Sequence, residues 1–171
     1  DPQRGEYPLT YRFTLLPLCV LVLSLITGCA INRSATADGA PLARQVTESD
    51  HCGLTAPGLV YVSSAGDLDK LAQLPSGNLA LSMLRAIDFN EEHLVLVGLG
   101  QKTTGGYGLT LTSSEIVDDV LELAVKVRRP AADAMVTQAL TTPCAVIAIS
   151  PEEWEQLRVS GEGLGRFSRQ R

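Results

Sequence analysis

Short apolar runs and alternating segments recur from residue 58 onward and predict β-strands. Residues 58–63, 93–98 and 144–149 are almost entirely apolar and rich in β-branched side chains, which is typical of buried strands. Residues 107–112 and 120–127 instead alternate apolar and polar side chains, as in strands with one face in the core and the other in solvent. Long helices do not alternate with these strands, so a parallel nucleotide-binding sheet is not expected.

Two segments between the first two strands predict short helices. Ser64 and Asp67 fit a capping box, and Leu68 and Leu71 follow at helical spacing. Asn78 can cap a second helix, because apolar residues at positions 80, 83, 84 and 87 lie on one helical face.

A third short helix is predicted at Ser150-Pro151-Glu152-Glu153, a cap followed by a proline and a capping glutamate, leading to Trp154. Residues 157–159 are expected to close the sheet. The fold class that follows is α+β, with a mainly antiparallel β-sheet and two or three short helices. This fold is expected to come after an N-terminal signal helix and a flexible tether.

The N-terminal segment has the layout of an export signal. Arg4 and Arg12 precede 14 apolar residues, 13–26, and Ile26-Thr27-Gly28-Cys29 follows directly. The last four residues resemble a bacterial lipobox, which implies cleavage before Cys29 and attachment of lipid to that residue. A transmembrane anchor is the alternative, although it needs about 20 apolar residues. A soluble core segment is a further alternative.

The expected localisation follows from this resemblance. Ala30 after the lipid-bearing cysteine implies sorting to the outer membrane of a bacterial envelope, with the protein facing the periplasm. The predicted boundaries are a signal peptide over residues 1–28, a flexible tether over 29–49, a folded domain over 50–160 and a flexible tail over 161–171. The tether prediction rests on a segment rich in Ala, Ser, Thr and Gly without apolar periodicity.

Charge and composition exclude several function classes. The chain has 14 Lys and Arg against 19 Asp and Glu, whereas nucleic-acid binders usually carry a basic face. Only two histidines are present, too few for a His-rich metal site. No nucleophile elbow, phosphate loop, metalloprotease or paired-cysteine motif occurs. We therefore expect no catalytic residues, no metal, no cofactor and no nucleic-acid partner, hence a non-enzymatic protein.

The four cysteines have separate expected roles. Cys19 lies within the signal and Cys29 is the lipidation candidate, which leaves Cys52 and Cys144 as an even pair in an exported domain. An even pair in an oxidising compartment predicts a disulfide. Two free thiols are the alternative, as is a catalytic thiol at Cys52 beside His51. Adjacent side chains diverge, however, which disfavours such a catalytic pair.

Two polar segments are candidates for partner binding. The first is a glycine-rich turn containing Thr104, Gly105, Gly106 and Tyr107, where one of the two glycines is expected to have positive φ. The second, residues 134–143, contains Gln138 and Thr141, which have no obvious core role. We expect the two segments to lie side by side and form one binding edge for a protein. A plain hairpin with a packed Tyr107 is the alternative interpretation.

The same two segments resemble a known family. A strand, a Lys-Thr-Thr-Gly-Gly-Tyr turn, two strands and a Met-Val-Thr-Gln-Ala-Leu-Thr-Thr-Pro segment before a last strand are similar to the PrcB C-terminal domain. That resemblance covers about residues 93–150, with Thr103 where the family often has Pro. It implies a lipid-anchored, non-catalytic scaffold subunit that supports or stabilises a protease complex, with the membrane and a protein, such as a protease, as partners.

A second resemblance gives an alternative function. Chagasin-type inhibitors of cysteine proteases bind through an Asn-Pro-Thr-Thr-Gly-Tyr loop and a later Arg-Pro-aromatic loop. Here residues 103–107 contain an extra glycine and lack the Asn-Pro pair, and Arg129-Pro130 is followed by Ala131 rather than an aromatic residue. The Thr-Gly-Gly-Tyr loop would then act as the inhibitory element.

Overall fold

A computed structural model describes residues 32–74 and 78–171. Within them the chain forms nine strands and two helices. In chain order these are β1 (Asn32–Arg33), β2 (Ala43–Ser49), β3 (Pro57–Val62), α1 (Ala65–Ala72), α2 (Leu81–Leu84), β4 (His93–Leu99), β5 (Gly108–Val117), β6 (Val120–Arg128), β7 (Cys144–Ile149), β8 (Gln156–Glu162) and β9 (Leu164–Gln170).

The strands form two sheets rather than the single sheet expected from the sequence. One sheet has the order β1-β5-β6-β8-β9, and the other has the order β2-β7-β4-β3. All pairings between the named strands are antiparallel except β6 with β8. The fold class is therefore mainly antiparallel β with two short helices, as predicted. The chain crosses between the sheets four times, after β1, β4, β6 and β7.

The four-stranded sheet is buried on both faces, which explains the apolar runs of its central strands. Alternate residues of β4 and β7, such as Val95 and Ile147, face the five-stranded sheet in the larger core. The intervening residues, such as Leu96 and Val146, pack under the helices together with Leu68 and the disulfide cysteines. Because successive side chains of a strand point to opposite faces, a strand covered on both sides has no polar positions.

The first helix forms as predicted, and the other helical predictions need correction. Ser64 caps α1 by accepting a hydrogen bond from the Asp67 amide, and hydrogen bonds from Lys70 and Ser64 lower the pKa of Asp67 to about 2. The second helix is a single turn without a side-chain cap. The predicted third helix is absent from residues 150–155, because Trp154 is buried in the core and its indole N–H donates a hydrogen bond to the Ser150 carbonyl.

The tether predicted over residues 29–49 is wrong for its second half. Residues Ala43–Ser49 form β2, which pairs with β7 along six residue pairs. Leu42, directly before the strand, is only 1% exposed and belongs to the larger core. The pairing of a polar segment with a distant apolar strand is a tertiary effect that composition does not reveal.

The flexible tail predicted over residues 161–171 is also wrong. Leu164–Gln170 form β9, which pairs antiparallel with β8 and ends the five-stranded sheet. Arg169 lies over the Tyr61 ring, with its guanidinium carbon 4.7 Å from the ring centroid. These contacts fix a segment whose glycines and charges are typical of a disordered terminus.

The predicted signal peptide, residues 1–28, and the lipidation candidate Cys29 lie outside the described residues. Among the residues that the structure describes, no helix combines the length and hydropathy needed to cross a bilayer.

Candidate protein-binding site

The two polar segments singled out in the sequence lie side by side in the fold. We call residues 100–107, which connect β4 to β5, the glycine turn, and residues 129–143, which connect β6 to β7, the β6–β7 loop. Lys102 and Thr141 exchange two backbone hydrogen bonds of 2.8 and 2.9 Å, and the Gly105 amide donates to the Thr137 carbonyl at 2.9 Å. The loop is therefore held against the turn by its backbone.

Thr141 is a structural residue rather than a contact residue. Its side chain is only 4% exposed, and its hydroxyl donates to the Thr104 carbonyl at 2.9 Å. The sequence assigned Thr141 to the partner surface because a threonine in a polar segment usually faces solvent. Here the hydroxyl satisfies a backbone acceptor across the two segments, so the earlier assignment is corrected.

The two glycines of the turn differ, since a Cβ atom would make only ordinary contacts at Gly105 but would be crowded at Gly106. Gly105 is buried, and a Cβ atom there would lie 3.6 Å from Thr137 Cβ. Gly106 has φ of 89°, which confirms that one of the two glycines adopts a positive value. A Cβ at Gly106 would also come within 3.0 Å of Pro130 and Val136. The turn is thus shaped to receive the loop, and Gly105 is covered by it.

The other predicted contact residues are accessible to different extents. Tyr107 is half-buried and packs against the larger core, with Lys102 Nζ 5.5 Å from its ring centroid. Thr104 is also half-buried, whereas Gly106 and Gln138 are exposed. The structure therefore places the six predicted residues in one region but leaves only part of that set available to a partner.

Two exposed apolar side chains belong to the segment expected at the binding edge but were not singled out as contact residues. Met135 is fully exposed and Leu140 is 63% exposed. Both occur in a segment with neither strand nor helix periodicity, so the pattern does not predict that either side chain packs in a core. A large apolar residue outside any amphipathic pattern, in a long loop, is the sequence signal that could have identified them.

A disulfide fixes the end of the loop. Cys52 and Cys144 are bonded, with their Cα atoms 6.0 Å apart, and both side chains are fully buried. The Cys52 amide donates to the Thr142 carbonyl, and Thr142 lies two residues before the bridge. The bond therefore ties the segment before β3 to the point where the loop enters β7.

Among the described residues, the titratable side chains with shifted pKa values lie outside the glycine turn and the β6–β7 loop. His93 hydrogen-bonds the Tyr61 hydroxyl at the start of β4. Burial lowers the pKa of His93 and raises the pKa of Tyr61, and His51 lies beside a cysteine that is already oxidised. Over residues 32–74 and 78–171, no group of three or more His, Cys, Asp or Glu side chains is arranged to hold a metal ion.

Comparison with known families identifies this region. The model of the PrcB C-terminal family matches residues 94–150, a stretch that begins in β4 and ends just after β7. It therefore contains the glycine turn, the β5–β6 hairpin and the whole β6–β7 loop. No curated protein and no solved structure gives a significant match. Through residues 94–150, about a third of its length, the chain is similar to the PrcB C-terminal family.

Proposed function

We propose that this domain is a non-catalytic, protein-binding subunit that supports a protease complex in the bacterial envelope. The observation that carries the proposal is the exposure of Met135 and Leu140 on a loop whose backbone is already fixed. Large apolar side chains in water are costly unless a partner covers them, and loops on rigid scaffolds are common binding elements. The family match supplies the association with a protease complex.

The hydrogen bonds between loop and turn favour binding energetically. Lys102, Gly105 and Thr141 hold the loop through four hydrogen bonds, three between backbone groups and one from the Thr141 hydroxyl. A loop ordered before binding avoids the conformational entropy that a flexible segment would lose on association. Burial of Met135 and Leu140 by a partner therefore contributes to affinity, and only a small entropy cost of ordering the backbone opposes it.

The alternative, inhibition of a protease by insertion of the glycine turn, is less well supported. Gly105 is buried beneath Thr137, and Tyr107 packs on the core rather than projecting. A turn that is covered by the neighbouring loop has little free length to enter an active-site cleft.

A site-specific crosslink tests the proposed surface. A photoreactive phenylalanine at position 135 should give a discrete crosslinked product in intact cells, and mass spectrometry should identify a protease or another subunit of its complex. The same probe at Met83, which is 49% exposed but lies on α2, is the matched control and should give no such product. Equal products at both positions would contradict a specific surface.

Affinity for the identified partner then measures the contribution of the two side chains. The double variant Met135→Ser, Leu140→Ser should bind the purified partner about tenfold more weakly, the effect of losing a modest hot spot. Met83→Ser should bind like the unchanged protein. Unaltered affinity of the double variant would remove the observation on which the proposal rests.

We further propose that lipid on Cys29 anchors the domain to the outer membrane, facing the periplasm. Only two residues separate Cys29 from β1 at Asn32, so the connecting chain spans at most about 11 Å. β1 pairs with β5 beside the β5–β6 turn, whereas the β6–β7 loop follows the other end of β6. An anchored domain would then present the loop away from the headgroups.

Metabolic labelling with a palmitate analogue tests the anchor. The Cys29→Ser variant should lose the label and should no longer fractionate with the outer membrane, whereas Cys19→Ser should retain both properties. Persistent labelling of Cys29→Ser would exclude this lipid site. The fold of residues 32–171 should be unchanged in both variants, since neither cysteine lies within it.

A further inference from the structure

A small basic pocket lies beside the glycine turn and is not used by any role described so far. It has a volume of about 230 Å³ and is lined by Leu99, Lys102, Tyr107, Val127, Arg129 and Gly163. The ends of β4 and β6, the start of β5 and the β8–β9 turn meet there. Two cationic groups therefore face a pocket whose remaining walls are apolar, aromatic or glycine.

Neither cation forms an ion pair with another described residue. Six ion pairs occur among the described residues, and none of them includes Lys102 or Arg129. Lys102 Nζ instead lies over the Tyr107 ring. This arrangement differs from that of the neighbouring Arg128, whose guanidinium pairs with Glu48. A chain with a net charge of −5 thus keeps two unpaired positive groups at one concave site.

A glycine and a hydrogen-bonded backbone segment border the pocket beside the two cations. Gly163 has φ of 80°, and a Cβ atom there would lie 2.5 Å from an Arg129 guanidinium nitrogen. A side chain at this position would therefore displace the guanidinium as well as strain the backbone. Lys102 is held at its backbone by the two hydrogen bonds to Thr141. Gly163 therefore leaves room for the Arg129 guanidinium, and the Lys102 backbone is fixed beside the pocket.

The pocket volume limits the ligand to about one residue. Sites for drug-sized molecules usually have volumes of about 300–1,000 Å³, more than this pocket provides. Leu99 is only 4% exposed, so the apolar wall that it forms with Val127 is small and accepts only a short aliphatic group, while Lys102 and Arg129 match a carboxylate. A peptide residue carrying both groups satisfies the whole lining, whereas a bare inorganic anion leaves the apolar wall uncovered.

We infer that this pocket binds a carboxylate of the partner protein, supplied by its C-terminal residue or by an Asp or Glu side chain. The inference rests on the proposed function and names the chemistry that its partner would present next to the β6–β7 loop. Arg129 directly precedes Pro130, which contacts Gly106 beside Tyr107. A bound segment can therefore cover the apolar loop and place its carboxylate between the two cations.

Titration of the isotope-labelled protein with three small probes, followed by NMR, tests the pocket without any partner. N-acetylleucine carries an α-carboxylate, N-acetylglutamate α-amide carries only a side-chain carboxylate, and N-acetylleucine amide carries neither. One or both acids should shift the amide signals of Lys102, Tyr107 and Gly163 saturably, with a dissociation constant on the order of millimolar. Which acid binds identifies the source of the carboxylate.

Matched charge variants separate pocket binding from general attraction. Lys102→Gln and Arg129→Gln should each weaken binding of the acid by about two- to fivefold, as expected for an exposed charge pair. Lys126→Gln removes the same charge from an exposed position on β6 outside the pocket and should leave binding unchanged. An equal loss in Lys126→Gln would overturn the assignment.

Three further outcomes would also overturn it: no saturable shifts, an equal response to N-acetylleucine amide, or equal affinity for inorganic phosphate. Binding to vesicles of anionic lipid that depends on Lys102 and Arg129, without any response to the acids, would assign the pocket to a membrane surface and reject the peptide carboxylate. Failure here leaves the crosslinking result at Met135 intact, so the two proposals fail separately.

Discussion

Removal of the disulfide is the perturbation whose cost can be worked out most directly. Cys52 and Cys144 are 92 residues apart in sequence and are bonded in the folded chain. The bond restricts the unfolded chain by closing that loop, and the chain-entropy model converts a loop of this length into about 4.6 kcal/mol at 25 °C. The free energy of unfolding of an ordinary domain is about 5–15 kcal/mol, so this bond contributes a large part of it.

The experiment compares oxidised and reduced protein of the same sequence. Both sulfurs are fully buried, so reduction is carried out in denaturant and followed by refolding in reductant, with thiols counted by mass spectrometry. Urea unfolding should then give a free energy of unfolding lower by about 4–5 kcal/mol, and the melting temperature should fall by about 15 °C. The slope of the transition should increase, because the reduced unfolded chain exposes more surface.

The double variant Cys52→Ala, Cys144→Ala supplies the control. Its stability should not respond to reductant, whereas the unchanged protein should respond fully. A fully reduced protein that unfolds within about 1 kcal/mol of the oxidised form would refute the entropic reasoning, since it would show that the reduced chain retains the proximity of the two cysteines.

Three further changes have defined outcomes. Asp119→Gly should stabilise the β5–β6 turn by about 0.5 kcal/mol in urea unfolding, because Asp119 has φ of 62° in a two-residue hairpin loop; a loss of stability would contradict this. Gly161→Ala should cost about 2–3 kcal/mol, since its Cβ would overlap the Val125 carbonyl; Gly165→Ala, with ordinary contacts, is the control and should cost far less. The pKa of His93 is lowered by burial, so the unfolded state takes up its proton first on acidification. Stability should therefore fall as the pH drops below about 6.5, and a His93→Gln variant with an unchanged pH profile would exclude this contribution.

The central strands could be predicted because their environment determines their composition. Residues of β4 and β7 are buried on both faces, so nearly every position must be apolar, and the runs are visible without any tertiary information. β6 is visible for a related reason, because Leu121, Leu123 and Val125 face the core while the residues between them do not. The capped helix α1 is likewise specified locally by Ser64.

The missed strands share a different property, since each lies at the edge of its sheet. β1 and β9 end the five-stranded sheet and β2 ends the four-stranded sheet. An edge strand covers less of the core and carries more polar side chains, so its sequence resembles a linker or a terminus. Only pairing with a distant strand distinguishes it, as with β2 and β7, and such pairing leaves no local pattern. The division into two sheets escaped prediction for the same reason.

The candidate site shows how residue type alone misassigns function within a correctly located region. Thr141 is polar and Gly105 is small, as expected of surface residues, yet both form the hydrogen bonds that hold the loop against the turn. Met135 and Leu140 have large apolar side chains of the kind that usually form a core, but both are exposed to solvent. Because many hydrogen-bonding groups form the scaffold, the exposed side chains of the loop include these two apolar groups, and the cations without an ion-pair partner among the described residues lie in the adjacent pocket. Under the proposed function, specificity for a protein partner would depend on how an apolar contact and a charge are spaced, a property of the fold that neither segment carries alone.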